Sequence, residues 1–92
     1  RDIQSYLESM RKVIVTLGLS SKVEKNWLKR IDSISNIDQV RNRSRVERIV
    51  KRLSRKDGYN NDKITDRQKT AILNLFEELL PYVDSTARGK HK

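Results

Sequence analysis

Cysteine is absent from this sequence, and its 92 residues include only one histidine, one proline and three glycines. Without cysteine the chain has no disulfide framework, no thiolate nucleophile and no Cys-type zinc or iron–sulfur site. Aromatic residues make up only 5 % of the chain. No apolar run approaches the roughly 18 residues that cross a bilayer, and the N-terminus lacks the apolar segment of a signal peptide. We therefore expect an intracellular, cytoplasmic protein with no membrane span.

The short length leaves little room for an enzyme. A chain of 92 residues buries only roughly 60–65 % of its unfolded surface, which suits one small core but not a core and a deep substrate cavity. The sequence also lacks a Ser/His/Asp set, a glycine-rich phosphate loop and the ligand register of an EF-hand. We predict no catalytic residue, no cofactor and no metal site. Because the chain begins at Arg1 rather than methionine, we expect it to be part of a longer protein.

Apolar residues recur at three- and four-residue steps throughout the chain, which is the spacing of amphipathic helices. We predict an all-α fold, a small four-helix bundle in a single domain. The four predicted helices cover about residues 2–17, 21 to a break at 33–38, 40–55, and 66 to Pro81. We assign residues 1–83 to the helical domain and residues 84–92 to a flexible basic tail.

Short polar signals mark the ends of the predicted helices. Gly18 is suited to close the first helix in the left-handed conformation. Ser21–Glu24 and Thr65–Gln68 each have the capping-box spacing, which predicts that the second helix starts after Ser20 or Ser21 and the fourth after Thr65. The polar run over residues 57–62 is the clearest loop signal in the chain.

The few aromatic residues are predicted to be structural for the most part. Trp27 and Phe76 lie at core spacing, so we expect both to be buried. Tyr6 and Tyr82 are expected to be half-buried with a solvated hydroxyl. Tyr59 lies in the predicted loop, where an exposed tyrosine could stack on a base or sugar or could be incidental.

The positive charge is concentrated in one segment. The chain carries 21 Lys and Arg against 12 Asp and Glu, a net charge of +9. Residues 1–40 have seven basic and five acidic side chains, residues 41–56 have eight and one, and residues 57–92 have six of each. A field of this sign attracts nucleic acid, anionic lipid or an acidic protein surface. Its position indicates that the third predicted helix is the binding element.

Helical geometry gathers most of these cations on one side of the third helix. At 100° per residue, six of them fall within an arc of about 100°, and the apolar edge is centred about 120° away. We call these six the basic ridge: Arg41, Arg45, Arg48, Arg52, Arg55 and Lys56. Most of the six are arginines, and a planar guanidinium group can bind a phosphate or a guanine edge through two hydrogen bonds. The predicted DNA-binding residues are Arg41, Arg43, Arg45, Arg48, Arg52, Arg55 and Lys56.

Two other interpretations of the basic segment stay open at this stage. The ridge could be an ordinary solvated face, partly neutralised by Asp32, Asp38, Asp57 or Asp62. A basic amphipathic helix can also lie on a membrane or bind calmodulin. Such helices carry bulky apolar anchors, whereas this one offers only valine, isoleucine and leucine.

Two stretches of the second half of the chain resemble a known family. Residues 46–53 and 65–76 are similar to the N-terminal core-binding (SAM-like) domain of tyrosine recombinases. The matching positions form a Thr-initiated segment that leads to a small residue, a leucine and an aromatic: Thr65, Ala71, Leu73 and Phe76. Similar four-helix modules precede catalytic parts in some restriction-type proteins. The resemblance covers about residues 3–80. It implies a helical clamp that places basic residues on duplex DNA, while the recombinase catalytic residues belong to another domain.

The leading functional hypothesis is a non-catalytic DNA-binding domain of a larger DNA-processing or regulatory protein. Its partner would be duplex DNA, which the ridge would contact mainly at phosphates. Arg45 or Arg48 are the candidates for hydrogen bonds to the edge of a base. One alternative is a protein-interaction module that docks on an acidic partner. Another is RNA binding, although single-stranded RNA favours exposed aromatic residues, which are scarce here.

Overall fold

The computed structural model describes the backbone of residues 3–35 and 39–91, and the side chains of residues 3–34, 41–60 and 62–83. Over these residues the chain forms four α-helices and a short 3₁₀ turn, with no strand. The elements are α1 (Ile3–Ile14), α2 (Ser21–Ser35), α3 (Gln39–Ser54), the 3₁₀ turn (Asn60–Asp62) and α4 (Asp66–His91). The predicted all-α, four-helix fold class is confirmed.

The helices pair into two compact units. α1 packs against α2 within residues 1–36, and α3 packs against α4 within residues 37–92. Pairing buries one apolar stripe of each helix, which is how an amphipathic helix gains most of its stability. The second unit contains the whole basic segment.

In the first unit the buried side chains follow the helical spacing. They are Leu7, Met10 and Ile14 of α1 and Val23, Trp27, Ile31 and Ile34 of α2. Val13 lies next to Ile14 but is 37 % exposed. Arg11 Nε donates a hydrogen bond to Asp32 Oδ1 at 2.8 Å and joins the two helices. Since both side chains are partly exposed, this ion pair contributes at most about 1 kcal/mol, and apolar burial dominates.

The end of α1 differs slightly from the prediction. The helix ends at Ile14, because the amides of Thr16 and Leu17 bond to carbonyls three residues back in a tighter 3₁₀ pattern. Gly18 follows with a φ of 78°. The left-handed closing residue is therefore where the sequence predicts it.

The start of α2 is capped by Ser20 rather than Ser21. The Ser20 Oγ accepts a hydrogen bond from the Val23 amide at 3.3 Å, and the helix begins at Ser21. Because the cap lies one residue earlier than predicted, Glu24 is not at the third helical position that a capping box requires. The predicted Ser21–Glu24 capping box is wrong.

The C-terminal part of α2 extends into the predicted break. The helix continues through Ser35, and Ile34 is fully buried. Burial of Ile34 favours helix over the turn that the polar residues around it suggest. The rest of the predicted break, residues 36–38, lies outside the described residues.

In the second unit α3 and α4 bury facing stripes. The buried side chains are Asn42, Val46, Ile49 and Leu53 of α3 and Ile72, Phe76, Leu79 and Val83 of α4. α4 continues through Pro81 to His91, beyond its predicted end. Proline removes one amide from the helical ladder, but Leu79 and Val83 on either side of it are both fully buried. Apolar burial therefore offsets the cost of proline here, and the flexibility of residues 84–92 stays a prediction.

The capping box at the start of α4 is confirmed. The Gln68 amide donates to Thr65 Oγ1 at 3.1 Å, and the Thr65 amide donates to Gln68 Oε1 at 2.9 Å. Asp66 occupies the first turn, where a negative charge favours the helix dipole. These contacts satisfy two amides that would otherwise have no partner at the helix start.

Phe76 and Trp27 are both fully buried, as the core spacing predicts. We expect Phe76→Ala to lower the free energy of unfolding by roughly 3–5 kcal/mol, because it removes apolar contacts and leaves a cavity. Urea unfolding followed by circular dichroism measures this loss. The exposed neighbour Glu77 provides the control, since Glu77→Ala should change stability by less than about 0.5 kcal/mol. Equal effects of the two substitutions would show that Phe76 is not a core residue.

Candidate nucleic-acid interface

The sequence of α3 separates an apolar side from a cationic side. Asn42, Val46, Ile49 and Leu53 recur at four- and three-residue steps, and all are buried. Apart from the half-buried Val50, the positions between them carry charged or polar side chains, and these are exposed. The packing of α3 on α4 thus decides which side of the basic helix faces outward.

All seven predicted DNA-binding residues are exposed. Arg41, Arg45, Arg48 and Arg52 lie on one side of α3 and span roughly 16 Å along the helix axis, at 1.5 Å per residue. The prediction that Arg55 and Lys56 lie on the third helix is wrong, because α3 ends at Ser54 and both residues lie in the turn that follows. The basic ridge therefore has a helical part of four arginines.

Arg43 lies apart from the basic ridge, on the other flank of α3. Its Nη2 is 3.4 Å from Glu47 Oε2, one turn further along the helix. Both side chains are about half exposed, so the pair adds only about 0.3–0.5 kcal/mol of stability. The pair matters more for the charge of the surface than for stability, because Arg43 neutralises Glu47, the one acidic residue of the basic segment. Of the seven predicted residues, Arg43 is the least suited to meet an anion.

Two shallow surface hollows lie beside the basic ridge and share Ser44 and Arg48. Arg41 and Arg45 complete the described lining of the first hollow. Glu47 and Lys51 complete that of the second. Among the described residues the first is lined by three guanidinium groups, one hydroxyl and no acid, whereas the second includes a carboxylate. The first hollow is thus the better seat for an anion.

Sequence reasoning did not assign Ser44 or Lys51 to the site. Both are exposed on α3. The spacing held a signal for Ser44, since Arg41 and Arg48 lie three residues before it and four after it, one turn away in each direction. A short side chain among long ones leaves a depression in the surface. Its position can be found only from the three-dimensional structure.

The ridge arginines differ in how the protein holds them. Arg41 and Arg45 have partners within the chain. Within the described part of the chain, Arg48 and Lys51 form no ion pair. Arg52 is held by an aromatic ring, since its guanidinium carbon lies 4.2 Å from the centroid of the Tyr59 ring.

Tyr59 is not the exposed loop residue that the sequence suggests. Its side chain is 6 % exposed, and its backbone adopts a left-handed φ of 57°. The ring packs beneath the Arg52 guanidinium, so it orients a ridge arginine and is not available to stack on a base. The prediction of exposure is wrong because the turn after α3 folds back on the helix.

Two further contacts fix that turn. The Lys69 Nζ donates hydrogen bonds to the carbonyl oxygens of Arg55, at 2.6 Å, and of Lys56, at 3.2 Å. Lys69 thus satisfies carbonyls at the C-terminal end of α3, where a cation is favoured. A Cβ built on Gly58 would lie 1.7 Å from the Arg52 carbonyl oxygen, so this position requires glycine.

The acidic residues that could have neutralised the basic ridge are accounted for in part. Asp32 binds Arg11 in the first unit. Asp57 and Asp62 form no ion pair with any described residue, and Asp38 lies outside the described residues. Glu47, bound by Arg43, is then the one described carboxylate on α3.

The described residues hold no cluster of metal-ligating side chains. None of the helices, within the same residues, is long and apolar enough to cross a membrane. The chemistry that this surface offers is recognition of an anion by guanidinium groups and a hydroxyl. In the comparisons with known proteins, no family model, no curated protein and no solved structure matches this chain.

Proposed function

We propose that this chain is a non-catalytic helical domain that binds duplex DNA through the basic ridge of α3. The observation that carries the proposal is the outward alignment of Arg41, Arg45, Arg48 and Arg52 on a helix whose one carboxylate is bound by Arg43. An anion relieves the repulsion between like charges spaced one helical turn apart. The proposal includes an intracellular, DNA-associated location and a place in a larger DNA-processing or regulatory protein.

The dimensions of the helical part of the ridge support duplex DNA. Its span of roughly 16 Å corresponds to the rise of about five base pairs along the duplex axis, at 3.4 Å per base pair. The major groove of B-DNA admits an α-helix, and arginine is the residue that most often reads guanine there. The resemblance to recombinase core-binding domains implies a helical clamp on duplex DNA, and we propose the same partner for this chain.

Single-stranded nucleic acid is less well supported by the surface. Its recognition relies on exposed aromatic side chains as stacking platforms. The described aromatic residues offer none of this kind, because Trp27, Tyr59 and Phe76 are buried and Tyr6 and Tyr82 are half-buried. An acidic protein partner shares the electrostatics and is the outcome that a failure of DNA binding would favour.

Titration of the chain with a mixed-sequence duplex at several salt concentrations tests the proposal. If the four helical arginines each neutralise one phosphate, log K should fall with log salt with a slope of about −3.6, at roughly 0.9 per contact. Affinity should then drop about 150-fold between 50 and 200 mM salt. Fluorescence anisotropy of a labelled duplex measures both values. Absence of binding at 50 mM salt would overturn the DNA proposal, and tighter binding to single strands would redirect it to RNA or single-stranded DNA.

A further inference from the structure

We propose that the hollow formed by Arg41, Ser44, Arg45 and Arg48 seats a backbone phosphate of the bound duplex, with the Ser44 hydroxyl as a hydrogen-bond donor. The inference rests on the proposed function and adds a defined contact point to it. A general attraction to positive charge needs no particular residue. A seated phosphate requires both the depression at Ser44 and the cations around it.

Ser44 lies among three arginines of α3. Arg41 and Arg48 lie one turn before and after it on the same side of the helix, and Arg45 is adjacent. Each guanidinium can donate two parallel hydrogen bonds to a phosphate, and such charge-assisted bonds are about twice as strong as neutral ones. One of the three arginines holds the seated phosphate, and the other two reach neighbouring phosphates of the strand. Because serine is short, an anion can approach the helix surface between the three arginines.

The exposed hydroxyl of Ser44 can donate a hydrogen bond to a ligand. Three of the other helical serines bond to their own helix: Ser9, Ser33 and Ser54 each donate to a backbone carbonyl three or four residues back. Among the described residues the Ser44 hydroxyl makes no hydrogen bond, although it lies on the exposed side of α3. It is therefore able to donate to a ligand without breaking a bond in the protein.

The phosphate is placed in the hollow of Arg41 and Arg45 because the neighbouring hollow contains a carboxylate. Glu47 lines the second hollow together with Lys51, and a carboxylate repels a phosphate. The pairing of Glu47 with Arg43, at 3.4 Å, draws that carboxylate charge to the opposite flank from Arg41 and Arg45. Arg43 thus acts through Glu47 as a positioning residue.

Filling the hollow without changing the charge tests the proposal. We expect Ser44→Leu to weaken duplex binding about tenfold, because the phosphate loses its seat and at least one hydrogen bond to a charged group. Ser54→Leu is the matched control, since Ser54 is an exposed serine on the other flank of α3 and should leave affinity within twofold. Circular dichroism should show equal helix content in both variants. Equal affinities of the two variants would overturn the inference and leave the proposed function standing.

A second measurement separates this inference from the proposed function. Backbone NMR shifts of the wild-type chain are followed as inorganic pyrophosphate is added, with Ser44→Leu and Ser54→Leu in parallel. We expect the largest shift changes over residues 41–48, lost in Ser44→Leu and kept in Ser54→Leu. This result would sustain the hollow as an anion site even if the duplex failed to bind. Shift changes scattered over all exposed cations would overturn it.

Discussion

Replacing Arg45, Arg48 and Arg52 together by alanine is expected to weaken binding to duplex DNA about 500-fold at 0.1 M salt. Each arginine that meets a phosphate contributes roughly 0.9 to the magnitude of the salt slope, so the slope should fall by about 2.7. Helix content should be kept, because alanine is the better helix former. Removal of the contact between Arg52 and Tyr59 should cost about 0.5–1 kcal/mol of stability. Anisotropy titrations at several salt concentrations, with unfolding curves, measure both effects.

A matched triple substitution in the first unit controls for the loss of net charge. Lys12, Lys25 and Lys29 are exposed helical residues of α1 and α2, and their replacement by alanine removes the same three positive charges. We expect this control to reduce the slope by less than about 0.5, because charges that do not meet phosphates release few counterions. If the two triples had equal effects, DNA would respond to diffuse charge. The basic ridge would then be an ordinary solvated face.

Gly58→Ala is expected to lower the free energy of unfolding by about 3 kcal/mol, close to the upper end of what overpacking costs. The added Cβ would lie 1.7 Å from the carbonyl oxygen of Arg52 and 2.8 Å from its carbonyl carbon. Since both atoms belong to the backbone of α3, a rotamer change cannot relieve the overlap. The turn must move away from the helix, which also removes the Tyr59 ring from beneath Arg52.

Gly18→Ala is the control for a general cost of replacing glycine. Gly18 has a φ of 78°, so alanine there costs about 1–2 kcal/mol of backbone strain. Urea unfolding curves of the two variants give the comparison. Gly18→Ala should leave duplex binding unchanged, whereas Gly58→Ala should also weaken it by displacing Arg52. A stability loss for Gly58→Ala no greater than that for Gly18→Ala would contradict the close approach of the turn.

Several features of this protein follow from the order of its residues alone. The three- and four-residue apolar spacing predicts four helices, and it places Trp27 and Phe76 in the core, because periodicity specifies which side chains share a helix face. The reciprocal cap of Thr65 and Gln68 follows from local geometry, since both partners lie within one turn. The alignment of the ridge arginines on one side of α3 follows from helical periodicity, and packing of the apolar side on α4 leaves that side exposed.

Other features depend on contacts between residues far apart in sequence. The burial of Tyr59 under Arg52 and the capping of the α3 end by Lys69 from α4 arise only when the turn after α3 folds back. α4 passes Pro81 because tertiary burial of Leu79 and Val83 offsets a local penalty. The hollow at Ser44 lies among residues of a single helix, but its shape depends on side-chain conformations that the sequence does not give. Sequence thus determined the helices and the charged face, whereas the tertiary structure decided which of its cations are held by neighbours and where an anion can approach.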